Sequence, residues 1–257
     1  MLYNVHLIIF AHPHHFWCRQ FVFGVEFAAY FCATCNMLVG PISVIDFEGS
    51  PRSGVLEYGV VVLKQGKIES CYSRLCAAKG SIGRDEWAVH KISSNDLKAA
   101  LPFAQAWELF ADLRQIGPFC AHNACVENGF LRAQWPYPRT SPNFASKAEP
   151  RYLEVADWGP WLDTLPMYKK CYPALESYKL EQLIDAFDLR DSLAKLGRRH
   201  CPTGRNRYHC ALFDALASAL LLQQILNAFD SISMAQLMGL SGHSHAEDGP
   251  QQMNLFT

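Results

Sequence analysis

The sequence predicts an α/β domain, and three observations predict it. Three β-rich runs, "PISVIDFE", "GVLEYGVVVL" and "KIESCYSRL", follow one another from residue 41. A helix–strand–helix order comes next, at 102–133, and a long apolar helix closes the pattern at 209–229. At 257 residues, with 50% hydrophobic and 18% charged residues, the chain is long enough for one sizeable folded domain.

The first 36 residues differ from the rest, being rich in Phe, His and Cys. Arg19 and Glu26 interrupt their apolar run, so no stretch reaches the roughly 18 residues that a membrane span requires. They read as an unstructured or loosely packed extension, and Met37 stands just before the first well-formed strand, so the domain can begin there. Its expected bounds are 37–240. Ten scattered cysteines and no evident cleavable signal fit a reducing cytoplasm better than a disulfide framework. Cys32 and Cys35 form a CxxC, but with His12, His14, His15 and Cys18 it lacks the second, well-spaced pair of a structural zinc site.

Turn-forming "GSPRSG" and "KQG" separate the three β-rich runs, which reads as an antiparallel meander. "PFAQAWELFADLRQI" (102–116) has helical period, "GPFCA" (117–121) is a short apolar strand, and "NACVENGFLRA" returns to helical spacing. The segment 133–160 holds five prolines and reads as a surface loop. "WLDTLPMYKK" and the amphipathic "SYKLEQLIDAFDL" lead to the last helix, 209–229, and residues 241–257 read as a flexible tail.

Within this frame, carboxylates occur where apolar residues are expected. Residues two apart on a strand share a face, so Asp46 and Glu48 present two carboxylates side by side at a strand end, needing either a cation between them or an outlet to solvent or Arg52. Glu127 lies in the first turn of a helix after a buried-looking strand, and Asp214 sits among Ala, Leu and Phe. His209 is five positions before Asp214, about 140° round the helix, so it belongs at the helix entrance, reaching over a pocket into which Asp214 points. A histidine so placed can equally cap or pack the helix start.

These segments resemble the DEDDh 3′-to-5′ exonucleases, the group that includes the proofreading subunit of bacterial DNA polymerase III. The first motif, Asp-x-Glu, is similar to Asp46-Phe47-Glu48. The second, Ala-His-Asn followed by an acid, is similar to Ala121-His122-Asn123 with Glu127, and the third, His-x-Ala-x-x-Asp, to His209 through Asp214. "AVHKI" around His90, "WLDTL" and "SYKLEQL" add lesser similarities, and the whole spans roughly 41–229.

The resemblance implies an RNase H-like fold with a mixed five-stranded sheet flanked by helices. It also implies 3′-to-5′ hydrolysis of terminal phosphodiester bonds with two Mg²⁺ or Mn²⁺ ions. Asp46, Glu48, Glu127 and Asp214 would be metal ligands and His209 the general base. Gly49, Ser50, His90 and Asn123 are candidates for substrate contact. Hard carboxylate oxygens suit such ions, which at about 3.5 to 4 Å apart stabilise both attacking and leaving oxygens.

Two departures stand out. Glu127 replaces the family's usual Asp, and its extra methylene moves the carboxylate outward by more than a bond length. Gly49-Ser50 stands where a Thr usually follows the first motif.

The net charge of −1 gives no global attraction to a polyanion, but residues 190–207 hold five Arg and one Lys against one Asp. Arg205 and Arg207 thus become candidate phosphate contacts, the alternative being a solvated loop. At the end of the chain, Gln252-Met253-Asn254-Leu255-Phe256 resembles the pentapeptide with which bacterial proteins dock on the DNA sliding clamp; Gln252, Met253, Leu255 and Phe256 are its candidate anchors, unless the tail folds back on its own domain. The expected substrate is single-stranded or 3′-terminal DNA, with no membrane partner. RNA, and a catalytically silent nucleic-acid-binding or clamp-associated protein, are the alternatives.

Overall fold

The computed structural model describes residues 8–12, 15–22, 25–31, 40–136, 138–145, 151–229 and 231–242. Cys32, Cys35, Met37 and the 252–256 pentapeptide lie outside them. Strands β1 (Ile8–His12), β2 (His15–Val22) and β3 (Val25–Phe31) form an antiparallel three-stranded sheet where the sequence predicts an unstructured or loosely packed extension. Their Phe, Tyr, Trp and Val content, irregular in period, favours strand on propensity alone.

The main sheet has five strands in the order β10-β7-β4-β5-β6. Strands β4 (Ile42–Ser50), β5 (Gly54–Lys64) and β6 (Lys67–Leu75) form the expected antiparallel meander. Strands β7 (Phe119–Ala121) and β10 (Trp161–Asp163) join parallel to β4 and to β7. The mixed five-stranded α/β architecture expected from the motifs is the one observed.

Alternation along the strands divides the core in two. Ile42 and Val44 of β4 and Val61 and Leu63 of β5 face α7 (Ala211–Ala228). Ile45, Phe47, Tyr58, Val60 and Val62 face the opposite way, toward Phe110, Leu131, Trp135 and Trp158. Phe110 belongs to α2 (Trp107–Ile116), which a 3₁₀ turn, Phe103–Ala106, precedes; Leu131 belongs to α3 (Cys125–Gln134). Helix α7 is long and apolar enough to cross a membrane by composition, yet most of it is buried inside the domain. A helix apolar all round needs such cover.

Period two then makes a strong statement about the carboxylates. Asp46 and Glu48 continue the Ile42–Val44 face, so they point to the side on which α7 lies. Across the ladder, Asp46 pairs with Gly59 and Glu48 with Glu57. A Cβ at Gly59 would stand 2.2 Å from the backbone nitrogen of Leu212, so only glycine lets the start of α7 rest on β5 at this level.

Further helices surround this frame. Helix α4 (Thr164–Cys171) follows β10 directly, with Pro166 in its first turn, where a missing N–H costs little. Helix α5 (Leu180–Ala186) matches the amphipathic stretch. Three helices differ from the sequence reading: α1 (Arg84–His90) and α8 (Met234–Leu240) have seven residues each, and α6 (Arg190–His200) lies within the run read as a basic patch or loop. In α6 only Leu193 and Gly197 are buried, which is too narrow a stripe to register as a period among so many charges.

The proline-rich segment carries only the short pair β8 (Ser141–Pro142) and β9 (Tyr152–Leu153). Buried Arg114 of α2 ties it down, donating to the carbonyls of Thr140, Asp157 and Trp158 and to Ser141 Oγ at 2.7 to 3.2 Å.

The Gly59 contact is the one that most directly seats α7. Gly59→Ala is expected to cost about 3 kcal/mol or more, because helix backbone rather than a side chain would have to move. Urea denaturation followed by far-UV circular dichroism measures it, and an unchanged midpoint would mean that α7 is not held against β5 there.

Candidate metal centre

Each acidic side chain reaches the centre through an identifiable local arrangement. Asp46 and Glu48 come from the last half of β4. Immediately after them the ladder shifts register between Glu48 and Gly49, and Gly49 takes φ 143°, a conformation that L side chains rarely adopt. Its Cβ would meet the carbonyl oxygen of Gly54 at 2.1 Å. Glycine after the Asp-x-Glu segment therefore has a backbone role, closing the β4–β5 hairpin as a bulge. Ser50 ties that hairpin: its Oγ meets Ser53 Oγ and donates to Glu86 Oε2 at 3.1 Å, and Glu86 also caps α1 through Gly83 N.

Glu127 comes from the first turn of α3. Asp163 sets that turn, accepting from the amides of Asn123 and Ala124 at 2.9 Å while also capping α4 through Leu165 N at 2.9 Å. His122 is clamped between Thr164 Oγ1 and the Tyr178 carbonyl, both at 2.8 Å. With Asn123 at φ 73°, the chain turns sharply into the helix. The "AHN" stretch thus serves as the anchor of α3, and its asparagine stays exposed at the rim.

Asp214 and His209 come from the start of α7. His209 precedes the helix at φ 60°, and its amide donates to Asp214 Oδ2 at 2.8 Å. One carboxylate oxygen of Asp214 thereby fixes the approach to the helix, and the other is free. The His209 ring is exposed over the centre, and ligand atoms of Glu48, His209 and Asp214 lie within 4.8 Å of one another.

The charges converge electrostatically as well as sterically. Burial raises the Asp46 carboxyl well above its usual range, and the charges of Asp214, Glu48 and Glu127 raise it further. Glu48 is raised to about 8, first by burial and then by Asp214 and Glu57, with Arg205 opposing. Burial lifts Glu127 to about 8, with Asp163 adding to it, and Asp214 to about 7 against the His209 amide.

Glu127 Oε2 and Asp214 Oδ1 are buried and make no hydrogen bond to any described residue. Buried carboxylate oxygens without a hydrogen-bond partner among the described residues, next to further acids, fit a hard divalent cation. Glu48, His209 and Asp214 form the tight group; Asp46 and Glu127 lie within electrostatic range of it but outside the 4.8 Å cluster.

The remaining candidate contacts are placed differently. His90 is buried, accepting at Nδ1 from Ile92 N at 2.9 Å with Nε2 near Glu86, so its ring faces the protein. Arg205 is committed to Glu57, donating through Nε at 3.1 Å and through a second, shorter contact, and to the His90 carbonyl at 2.9 Å. Arg207 is exposed and reaches the carbonyls of Tyr208 and His90 at 3.4 Å. At the head of the basic run, Arg190 pairs with Asp185.

Two acids escaped the sequence reading. Glu57 is a lone carboxylate inside "VLEYGVVVL", the same signal that marks Asp46, and it is 2% exposed. Asp163 is legible only as the polar residue between a strand and a helix, the usual place of an N-cap.

No protein-family model matches this chain, and no curated protein matches it by sequence. Solved structures do. An Exonuclease X bound to 5′-overhanging duplex DNA is 20% identical with a TM-score of 0.55, the match covering 78% of this chain and 99% of that one. A full-length 3′-exonuclease is 18% identical with a TM-score of 0.50, over 79% of this chain and 64% of that one. Cell-death related nuclease 4 (CRN-4) is 14% identical with a TM-score of 0.50, over 74% and 64%. These similarities, with the observed strand order, establish the α/β RNase H-like exonuclease fold.

Proposed function

We propose that the chain is a metal-dependent 3′-to-5′ exonuclease of the DEDDh type that removes nucleotides from DNA ends. The observation that carries this reading is the group of Glu48, His209 and Asp214, whose ligand atoms lie within 4.8 Å of one another, with Asp46 and Glu127 within electrostatic range. Four desolvated acids, three of which act on Asp46 and two of which have orphaned buried oxygens, are costly unless cations are bound. Two Mg²⁺ or Mn²⁺ ions, when bound, would stabilise charge on the attacking and leaving oxygens of a phosphodiester.

The protein's own residues do the rest. Asp46, Glu48, Glu127 and Asp214 would hold the ions, Glu127 from the first turn of α3. His209, tethered by its backbone to Asp214 but free at its ring, takes a proton from the attacking water. The water oxygen bonds to phosphorus and the bond to the 3′ oxygen breaks, leaving a nucleoside 5′-monophosphate and a shortened strand with a free 3′-hydroxyl. DNA is the preferred substrate because the structure with the higher similarity score is bound to DNA, and because of the clamp-like pentapeptide.

Incubation with end-labelled single-stranded DNA and RNA and Mg²⁺, Mn²⁺ or EDTA is expected to give metal-dependent loss of 3′ nucleotides from DNA. Asp46→Ala and His209→Ala should each lower the rate at least about a hundredfold. Preferential RNA degradation would make the chain an exoribonuclease; binding without degradation under every metal would make it a silent nucleic-acid-binding protein.

Raised carboxyl pKa values also dictate a pH dependence. Glu48 and Glu127 move from 4.5 to about 8 and Asp214 from 3.8 to about 7, so between these limits the folded chain binds more protons than the unfolded one. Stability in EDTA should therefore fall as pH rises from about 4.5 to about 8. Saturating Mg²⁺ should flatten that fall. Thermal melts across this range check both; a flat profile in EDTA would mean that the acids are already compensated by the protein.

Docking on a DNA sliding clamp belongs to the same reading. Deleting residues 252–256 should abolish co-purification with the clamp and leave nuclease turnover intact; unchanged co-purification would remove the clamp from the account.

A further inference from the structure

A fifth carboxylate stands in the centre without being free to act there. Glu57 faces Glu48 across the β4–β5 ladder, on the side occupied by α7, and is 2% exposed. Both of its oxygens are committed. Oε1 accepts from Arg205 Nε at 3.1 Å, while Oε2 accepts from Arg205 and from the amide of Ala211, the first residue of α7, at 3.0 Å. Cys210, at the N-cap position, supplies no side-chain cap, so a strand residue does that work for the helix. The free oxygens of Glu127 and Asp214 make the contrast.

The geometry points to Glu57 and Arg205 as a positioning pair for the metal centre: Glu57 pins the start of α7 so that Asp214 and His209 face Glu48, and Arg205 keeps Glu57 out of the ligand set. The inference rests on the metal-dependent reading above. Three steps link the pair to the centre. Ala211 is held by Glu57, His209 lies two residues before it, and Asp214 lies three residues after it with its Oδ2 on the His209 amide. Movement of the Ala211 amide therefore moves both groups together. Arg205 also donates to the His90 carbonyl, which fastens the 201–209 loop to the end of α1 and fixes the guanidinium independently of any substrate. A planar two-pronged contact of this kind orients a carboxylate in a way that a lysine ammonium cannot.

Calorimetric titration of Mn²⁺ into metal-stripped full-length protein tests the pair directly. Glu57→Gln and Arg205→Met should each weaken Mn²⁺ binding by about tenfold or more without changing the number of ions bound, the size of effect expected of residues that hold ligands in place. The double variant should be little worse than either single one, because the two groups act as a unit. In nuclease assays kcat should fall while KM for a single-stranded oligonucleotide stays constant.

Unaltered Mn²⁺ affinity with only a lowered melting temperature would reduce the pair to a structural contact and overturn the inference. Loss of one ion in Glu57→Gln would make Glu57 a ligand, and an Arg205→Met effect confined to KM would make Arg205 a phosphate contact; either result also overturns it. If Glu57→Gln does not fold, Arg205→Lys, which keeps the charge and loses the fork, carries the same comparison. A wild-type chain that binds no Mn²⁺ would instead sink the metal-dependent reading itself, which separates the two failures.

Discussion

Helix α7 begins against a strand position that has no side chain, and most of the centre's geometry follows from that contact. Gly59 allows the helix backbone to reach β5 opposite Asp46, while Glu57 two residues earlier receives the first helical amide. The helix axis and the strand ladder are thereby fixed relative to each other at the level where both carry acids. Were Gly59 any larger residue, α7 would stand off the sheet and Asp214 would be carried away from Glu48. The apolar remainder of α7, buried between the sheet and the surrounding helices, holds the position gained at its first turn.

This construction gathers negative charge in a place that water reaches poorly. Desolvation is the leading cause of every raised carboxyl in the group, ahead of mutual repulsion. The fold therefore holds the acids in an arrangement that opposes their ionisation, and the hydrophobic layers on both sides of the sheet must offset that cost. Among the described residues, Arg205 pairs directly with Glu57 and only partly offsets the charge at Glu48 and Asp214. The compensation still missing at the four acids has to come from protons or from a bound cation, which is why rising pH and divalent ions should act on stability in opposite senses.

Much of the fold was legible in the sequence because its signals are local. The β4–β6 meander, α2, α3, α5 and α7 show clean periods or clear breaks, and the mixed sheet was what the family resemblance implied. Helix α6 was hidden because its buried stripe is only Leu193 and Gly197, and α1 and α8 because seven residues give fewer than two full periods. The four acids and His209 were legible as polar residues in apolar company. The commitment of Arg205 and the capping by Glu57 were not, since both depend on a partner distant in the chain: Glu57 and Arg205 are 148 residues apart. Burial of the His90 ring is likewise a property of the β4–α1 junction and leaves no mark on its neighbours in sequence.

Asp163 shows what such distant partnerships imply for inheritance of change. One carboxylate caps the start of α4 and holds the turn that leads into α3, the helix that carries Glu127. Replacing it would unseat two segments at once, although it belongs to no ligand cluster. In a survey of random variants ranked by lost activity, position 163 would be grouped with the reactive residues, and only its damage to folding would betray that it is a hinge pin and not part of the blade.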